Sequence, residues 1–392
     1  MRRHVLVLNA GSSSLKYQVV DPASGEAPVH GIVERIGSGS ARLTHEDRSG
    51  EAVRDLDADD HRVALAAVHD GLEESGVGES ELLAVGHRVV HGGPHLTRAV
   101  VVDDDVLAEI EHVARLAPLH NPPAVDGIRS ARTSYPDLPQ VAAFDTAFFA
   151  GLPPVAATYA LDRSLAEREQ VRRYGAHGIS HEYVAAEAAR LLDRPGARLI
   201  VLHLGNGASA AAVRGGRPVD TSMGLTPLEG LVMGTRAGDL DPGILLHLMR
   251  HAGLGLDDLE DLLHHRSGLE GMAGRHDFRD LLAAVDAGDD AARTAYDVYC
   301  HRLRKYVGAY LAVLGGADAV VFTAGIGEHV ARLRADALTG LSSLGIVVDP
   351  ARNESASTAP RLVSPDGSPV AVLVVPTNEE LAIARQAVAL LG

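Results

Sequence analysis

Short, dense apolar runs alternate along the chain with longer stretches in which apolar residues recur every three or four positions. The runs at 4–8, 82–90, 140–144, 199–204, 318–323 and 370–375 predict β-strands. The periodic stretches predict helices over 105–116, ending before Pro118, and over 181–192, which follows Ser180 and stops at Pro195-Gly196. A third opens at Asp241-Pro242, with Asp as N-cap and Pro in the first turn, and closes at Gly253; the longest covers about 288–314. Strands alternating with helices predict parallel sheets joined by crossover helices.

Two passages of this pattern resemble each other. The first is Val-Leu-Val-Leu-Asn9-Ala-Gly11-Ser-Ser-Ser14-Leu-Lys16, and the second is Leu-Ile-Val-Leu-His203-Leu-Gly205-Asn206-Gly207-Ala-Ser209, followed by Gly215-Gly216. Each reads as a strand, a small-residue turn and a second strand. One such turn alone is simply a tight hairpin. Two at matching places predict a duplication: two related domains facing one cleft, each offering a turn whose backbone N–H groups make an anion-binding concavity.

Composition narrows the class. With 392 residues, 46% hydrophobic and 22% charged, the chain has material for two or three domains and is neither disordered nor a coiled coil. Thirty-six basic against 52 acidic side chains leave −16, a field that repels nucleic acid and anionic membranes, so an anionic ligand has to be held locally. The single cysteine, Cys300, makes no internal disulfide, which fits a cytoplasmic protein. The basic start runs into apolar residues only as far as Leu8, too short for a signal peptide, and 310–322 is broken by Gly315, Gly316 and Asp318, so no membrane span is expected. The only lysines are Lys16 and Lys305, neither in a Gly-Lys-Ser/Thr context, which excludes a P-loop. Gly205-x-Gly207 follows a strand but leads into another strand, so a dinucleotide-binding helix is missing.

Strand, phosphate turn, strand in both halves is the plan of the acetate and sugar kinase, heat-shock chaperone and actin superfamily. Within it, Asn9-Ala-Gly-Ser-Ser-Ser-Leu-Lys16 and Gly86-His-Arg88-Val-Val-His-Gly-Gly93 resemble the acetate kinase family. Further blocks agree in order: Leu119-His120-Asn-Pro-Pro123, Phe144-Asp145-Thr-Ala-Phe-Phe149, Arg173-Tyr-Gly-Ala-His177-Gly-Ile-Ser-His181, Thr226 to Arg236, Asp277-Phe-Arg279, Phe322 to Glu328, and Pro376-Thr-Asn-Glu-Glu380. The resemblance spans essentially the whole chain. It implies an α/β fold of two duplicated actin-like, ribonuclease H-like domains with βββαβαβα cores and an active-site cleft between them. The first domain is expected over 1–148 plus 380–392, and the second, carrying nucleotide binding and dimerisation, over 149–379.

Transfer of a phosphoryl group to a carboxylate brings two anions together and calls for cations and positioned donors more than for acid or base. The resemblance makes Arg88 and Arg236 the clamps, which a planar guanidinium serves in bidentate fashion; outside this context either would read as a surface ion pair. It gives Asp145 the task of orienting Arg88 or the magnesium-bound water, and His177 a hydrogen bond to the transferring phosphoryl. His120, in what reads as a rigid extended loop, contributes similarly. Val90, Leu119, Ala176 and Pro227 match the acyl pocket. Asn9 and Glu379 match the pair that holds Mg2+, with Mn2+ as a substitute; Thr377 to Glu380 reads as a capping box that occupies Glu380 and leaves Glu379 available. Ser12, Ser14 and Lys16 fall on one face of the first passage, toward phosphate. His203, Leu204, Gly205, Asn206 and Gly207 form the second phosphate turn. Asp277, Phe278 and Arg279 fall on the adenosine side, and Gly325, Ile326, Gly327, Glu328 and His329 meet the nucleotide at the start of the helix that follows them. Two positions depart from the family's usual residues: His329 stands where Asn is common, and Ala176 where Phe is common.

The expected activity is reversible, Mg-dependent transfer of the ATP γ-phosphoryl group to acetate, giving acetyl phosphate and ADP by direct in-line transfer, in a homodimer. The alternatives are a propionate or short-chain acyl kinase, which the room left by Ala176 favours unless Phe148 or Phe149 refills it, and a superfamily ATPase without a carboxylate substrate.

Overall fold

The apolar runs form two sheets. In this computed structural model, which describes residues 3–392, the first sheet holds β1 (His4–Ala10), β2 (Ser14–Val20), β3 (Val29–Glu34), β4 (Ala41–Asp47), β5 (Gly50–Leu56), β6 (Leu82–Val89), β7 (Val100–Val101) and β8 (Gln140–Phe144), in the order β5-β4-β3-β2-β1-β6-β8-β7. The second holds β9 (Arg198–Leu204), β10 (Ala208–Arg214), β11 (Arg217–Thr221), β12 (Ala319–Thr323), β13 (Arg361–Leu362) and β14 (Ala371–Val374), in the order β11-β10-β9-β12-β14-β13. All six expected strands are present. The central order is the same in both sheets: an antiparallel trio, β3-β2-β1 or β11-β10-β9, extended by parallel partners β6 and β8 or β12 and β14. The duplication read in the sequence is therefore a duplication of topology.

Two units result, one formed by the chain up to Ala150 with Asn378–Gly392, the other by Gly151–Thr377. In the first, the C-terminal helix Glu379–Leu391 packs on β1 and β6. Gly86 makes room for it, since a Cβ there would stand 2.8 Å from Ile383. In the second, helix Asp290–Leu314 buries Ala292, Ala295, Tyr296, Tyr299, Leu303, Val307, Tyr310 and Leu314, a stripe at three- and four-residue spacing. Asp289 caps its start by accepting from the Ala291 and Ala292 amides, and Gly315, at φ 67°, ends it in the left-handed region. β10 is buried on both faces by its run of small residues, and Gly215 and Gly216, both at positive φ, turn it into β11.

Helix boundaries depart from expectation in four places, the first being the helix expected over 105–116, which is α-helical over Asp104–His112 and continues as a 3-10 turn, Val113–Leu116. The helix expected at 181 starts at Gly178, because His177 at φ 57° already turns the chain. The Asp241-Pro242 helix is regular only through His247 and closes in a π-type turn, Leu248–Ala252, before Gly253. Asn121-Pro-Pro is the first turn of helix Asn121–Ser134 and not an extended loop; the two prolines sit where a helix has no use for their missing N–H groups.

Candidate active site

Arg88 ends β6 in the first unit. Its Nη2 donates to Asp145 Oδ2 at 2.7 Å and its Nε to Oδ1 at 3.3 Å, while Nε lies 3.5 Å from Glu379 Oε2. These contacts use Nε and Nη2 and not Nη1. Burial works against the guanidinium's charge, but Asp145 and Glu379 outweigh it and raise its pKa. Asp145 is buried and accepts both of these hydrogen bonds from Arg88. The surrounding backbone is locked: the Gly92 amide donates to Thr146 Oγ1 (3.0 Å), the His91 amide to Asn121 Oδ1 (3.1 Å), and Asn121 Nδ2 to His91 O (2.9 Å). Thr146 and Asn121 fall inside the motif blocks quoted above, but no role is read for either from the sequence. His87, next to Arg88, is structural: it is buried against Gln140 Oε1 (2.8 Å), and burial lowers its pKa to about 4.

Asn9 stands next to the last residue of β1, opposite Lys16 on β2. Lys16 is exposed and alternates with buried Leu15 and Tyr17, as the strand pattern requires; Ser14 opens β2, and exposed Ser12 lies in the turn before it, where the Gly11 amide bonds Ser14 O. Val90 is half-buried, and Leu119 and His120 lie just before helix Asn121–Ser134, with Leu119 exposed.

The capping box expected from Thr377 to Glu380 does not form. Thr377 is held elsewhere, its amide by Glu328 Oε1 and its hydroxyl by Ser180, so the cap moves to Asn378, whose Oδ1 accepts from the Leu381 amide at 2.9 Å. Glu379 becomes the first helical residue and Glu380 the second; burial raises the pKa of Glu380.

The second unit gathers another set around β9 and β10. Arg236 donates from Nη1 to Pro227 O at 2.8 Å, and burial lowers its pKa. A Cβ on Gly207 would stand 3.0 Å from Arg236 Nη2 and 3.4 Å from His177 Nε2, so only glycine leaves that space open. The His203 to Gly207 turn is closed by Gly205 N–H to Gly207 O and tied to the Arg236 loop by Gly234 N–H to Asn206 O. The amide of Gly205 is thus used within the turn. Leu204 is fully buried, and Ala176 joins the same apolar cluster. Arg173 organises the loop that carries Pro227, donating to the carbonyls of Thr221, Ser222 and Met223 and to Glu229 Oε1.

Two nucleotide-side expectations change. Phe278 is buried edge-to-face on Tyr299, ring centroids 5.2 Å apart, so its ring belongs to the core; Asp277 caps the helix that Phe278 opens and pairs with exposed Arg279. Gly325 to His329 does not lead up to a helix but forms one, Ala324–His329, with Ala324 held at φ 63°. Its last carbonyls, of Gly327 and Glu328, accept from fully buried Arg334 at 2.8 and 2.9 Å.

Among the described residues, no group of three or more His, Cys, Asp or Glu side chains is arranged to hold a metal ion, and no helix is long and apolar enough to cross a membrane.

Both the fold and the sequence have counterparts among known proteins. The model of the acetokinase family matches residues 4–385. The chain is 55% identical to an acetate kinase of Streptomyces avermitilis over 99% of its own length and 97% of the relative's. The crystal structure of Porphyromonas gingivalis acetate kinase superposes with a TM-score of 0.94 at 39% identity, covering all of both chains. A propionate kinase from Francisella tularensis gives the same TM-score at 38% identity, covering 98% of this chain and 99% of its own. Two units of duplicated actin-like topology define the class, and the chain belongs to the acetokinase family.

Proposed function

We infer that the chain is an acetate kinase, catalysing reversible transfer of the ATP γ-phosphoryl group to acetate to give acetyl phosphate and ADP. The observation that carries this is the likeness to acetate kinases over essentially the full length of the chain. The geometry supports direct in-line transfer. An acetate carboxylate is already ionised near neutral pH, so the acceptor needs orientation and charge neutralisation and not a base. Arg88, held by Asp145 through Nε and Nη2, keeps Nη1 for the carboxylate. Arg236 Nη2 and His177 Nε2 converge on the space above Gly207 and would bond the equatorial phosphoryl oxygens as charge builds on them. His120 assists, and Val90, Leu119, Ala176 and Pro227 receive the methyl group.

ATP would lie with its phosphates at the turns Ser12–Lys16 and His203–Gly207 and its adenosine toward Asp277, Arg279 and the helix Ala324–His329. The donor set fits magnesium: Asn9 and Glu379 offer hard oxygen ligands, and such an ion commonly takes only one or two protein groups beside phosphate oxygens. When bound, Mg2+, or Mn2+ in its place, neutralises phosphate charge.

A second reading, acceptance of propionate, is favoured by Ala176, which puts a methyl where the family commonly has a phenyl ring. A homodimer is supported by the exposed apolar side chains Leu240, Ile244, Leu246 and Met249 around one short helix of the second unit. A cytoplasmic setting is supported by the lone, buried thiol of Cys300. Trapping with hydroxylamine tests the activity: ATP with acetate should give acetyl hydroxamate. Phosphate release that is independent of any carboxylate would instead mark an ATPase.

A further inference from the structure

Two histidines of the second unit stack face to face, His177 on His203, with ring centroids 4.2 Å apart and planes 21° from parallel. Each gives its Nδ1 to a serine hydroxyl: Ser209 Oγ lies 2.9 Å from Nδ1 of His177, and Ser180 Oγ 2.8 Å from Nδ1 of His203. Each serine has a further polar neighbour. His181 Nε2 lies 2.8 Å from Ser209 Oγ, and Thr377 Oγ1 donates to Ser180 Oγ at 2.8 Å.

A hydroxyl has one proton, so Ser209 donates to one of its two imidazoles and accepts from the other. If it accepts from His177, the proton of a neutral His177 sits on Nδ1, and Nε2 is a bare lone pair beside Arg236. If it accepts from His181, Ser209 donates to Nδ1 of His177, and the proton of His177 sits on Nε2. We propose that His181 and Ser209 form a positioning relay that fixes His177 as the neutral Nε2–H tautomer, so that it donates to an anion shared with Arg236. Three features favour that direction. Nε2 of His177 and Nη2 of Arg236 both border the space above Gly207, where a lone pair would repel an anion. A doubly protonated His177 would place a second cation beside Arg236 and against the face of His203. His181 is fully buried, and burial and His203 keep its pKa well below the usual value, so it has a single N–H to give. The His203 side repeats the arrangement: Ser180 accepts from Thr377, which leaves its proton for Nδ1 of His203 and directs the His203 proton to Nε2.

The proposal rests on the reading of His177 as a phosphoryl-binding donor, and the experiment separates the two. In protein with 15N-labelled histidine, two-bond 1H–15N spectra distinguish the tautomers, and the His177 ring among 20 histidines is assigned by its loss in His177→Ala. The native protein with all ligands withheld should show Nε2 protonated and Nδ1 bare at neutral pH. A protonated Nδ1, alone or with Nε2, would overturn the proposal. Ser209→Ala should give mixed tautomers and lower turnover roughly tenfold with little change in KM for ATP, a scale set by what loss of a histidine's outer partner costs at metal sites. Ser209→Thr, which keeps the hydroxyl, should restore both. His181→Gln keeps an N–H donor and should resemble the native protein, whereas His181→Leu should resemble Ser209→Ala. An unaltered His177 spectrum in Ser209→Ala would show that the relay does not set the tautomer. Full turnover in His177→Ala would instead remove the catalytic reading and leave the tautomer assignment to stand or fall on its spectrum.

Discussion

Arg88 and Arg236 are both largely withdrawn from solvent, yet their electrostatic environments differ. Two carboxylates hold Arg88 in place and raise its pKa, whereas the Arg236 guanidinium donates to the carbonyl of Pro227, and burial lowers its pKa. A buried cation held by a neutral acceptor is electrostatically unsatisfied until an anion arrives, which suits a group matched to charge developing on a phosphoryl. Arg236→Ala should therefore lower turnover by about a hundredfold or more, roughly 3 kcal/mol, with a much smaller change in KM for ATP. Steady-state kinetics at saturating acetate check this, and an unchanged turnover number in the folded variant would remove Arg236 from the mechanism. At Ala176 the question is volume. One methylene buried in an apolar pocket is worth roughly 0.8 kcal/mol, and pockets discriminate by about 1 to 3 kcal/mol for each such group. Phe149 is fully buried and packed edge-to-face on Phe148 within the first unit, and Ala176 is buried in the apolar cluster of the second. Propionate should approach acetate in kcat/KM, and Ala176→Phe should restore preference for acetate with KM for ATP nearly unchanged. Strong acetate preference in both forms would refute it.

At the scale of elements, the helix Ala324–His329 has only six residues, too few to be stable by itself. Arg334 holds it from the next helix: Nη1 takes the carbonyls of Gly327 and Glu328, Nε takes Asn353 Oδ1 at 2.7 Å, and Nη2 takes Asn353 O at 2.7 Å. Burial lowers its pKa to about 10, so it stays charged at neutral pH. Arg334→Met would strand four acceptors and should raise KM for ATP severalfold more than it lowers turnover, with a loss of about 3 kcal/mol in stability. Lysine should not rescue, because a point ammonium cannot serve acceptors spread around a planar fork. Isothermal ATP titration and urea denaturation of both variants decide it. Nothing in Ala-Arg-Leu-Arg334-Ala-Asp marks this arginine in the sequence, since its partners lie on a carbonyl edge and on a distant asparagine. The same limit explains the other gaps. Strands buried on both faces, such as β8 and β12, were legible from apolar density alone, whereas β5, with six of its seven residues exposed, carries no such signal. The helix start at Gly178 and the cap at Asn378 were missed because a left-handed His177 and a tethered Thr377 override local propensity. Arg88, Asp145 and Glu379 come together in the first unit; Ser209 and Thr146 fall inside the quoted blocks, but their partners His181 and Gly92 lie on other segments, so the sequence around them does not show what they hold.

For the whole molecule, stability depends on burying histidines as neutral groups. His87 is almost fully buried in the first sheet, and His181 is fully buried in the second unit; burial lowers the pKa of each. The sign follows from linkage. An unfolded chain protonates His87 near its ordinary value of about 6.5, whereas the folded chain resists until about 4, so the unfolded state binds more protons between these values. The stability from neutral His87 is complete above the unfolded value and is lost as the pH falls toward the folded one. At about pH 5 the loss amounts to about 2 kcal/mol from this residue alone, and His181 adds to it in the same direction. Glu182, Asp220 and Glu380, whose pKa values burial raises, act in the opposite sense, because their folded forms take up protons first. The contribution of His87 is therefore isolated by comparison with His87→Gln, which has no titrating ring and can still donate an N–H to Gln140. The urea midpoint of the parent should fall between neutral pH and about pH 5, and that of the variant should fall by distinctly less, with equal m-values. Parallel pH profiles for the two proteins would mean that His87 protonates as readily folded as unfolded, and that the seal around β6 and β8 is open to water.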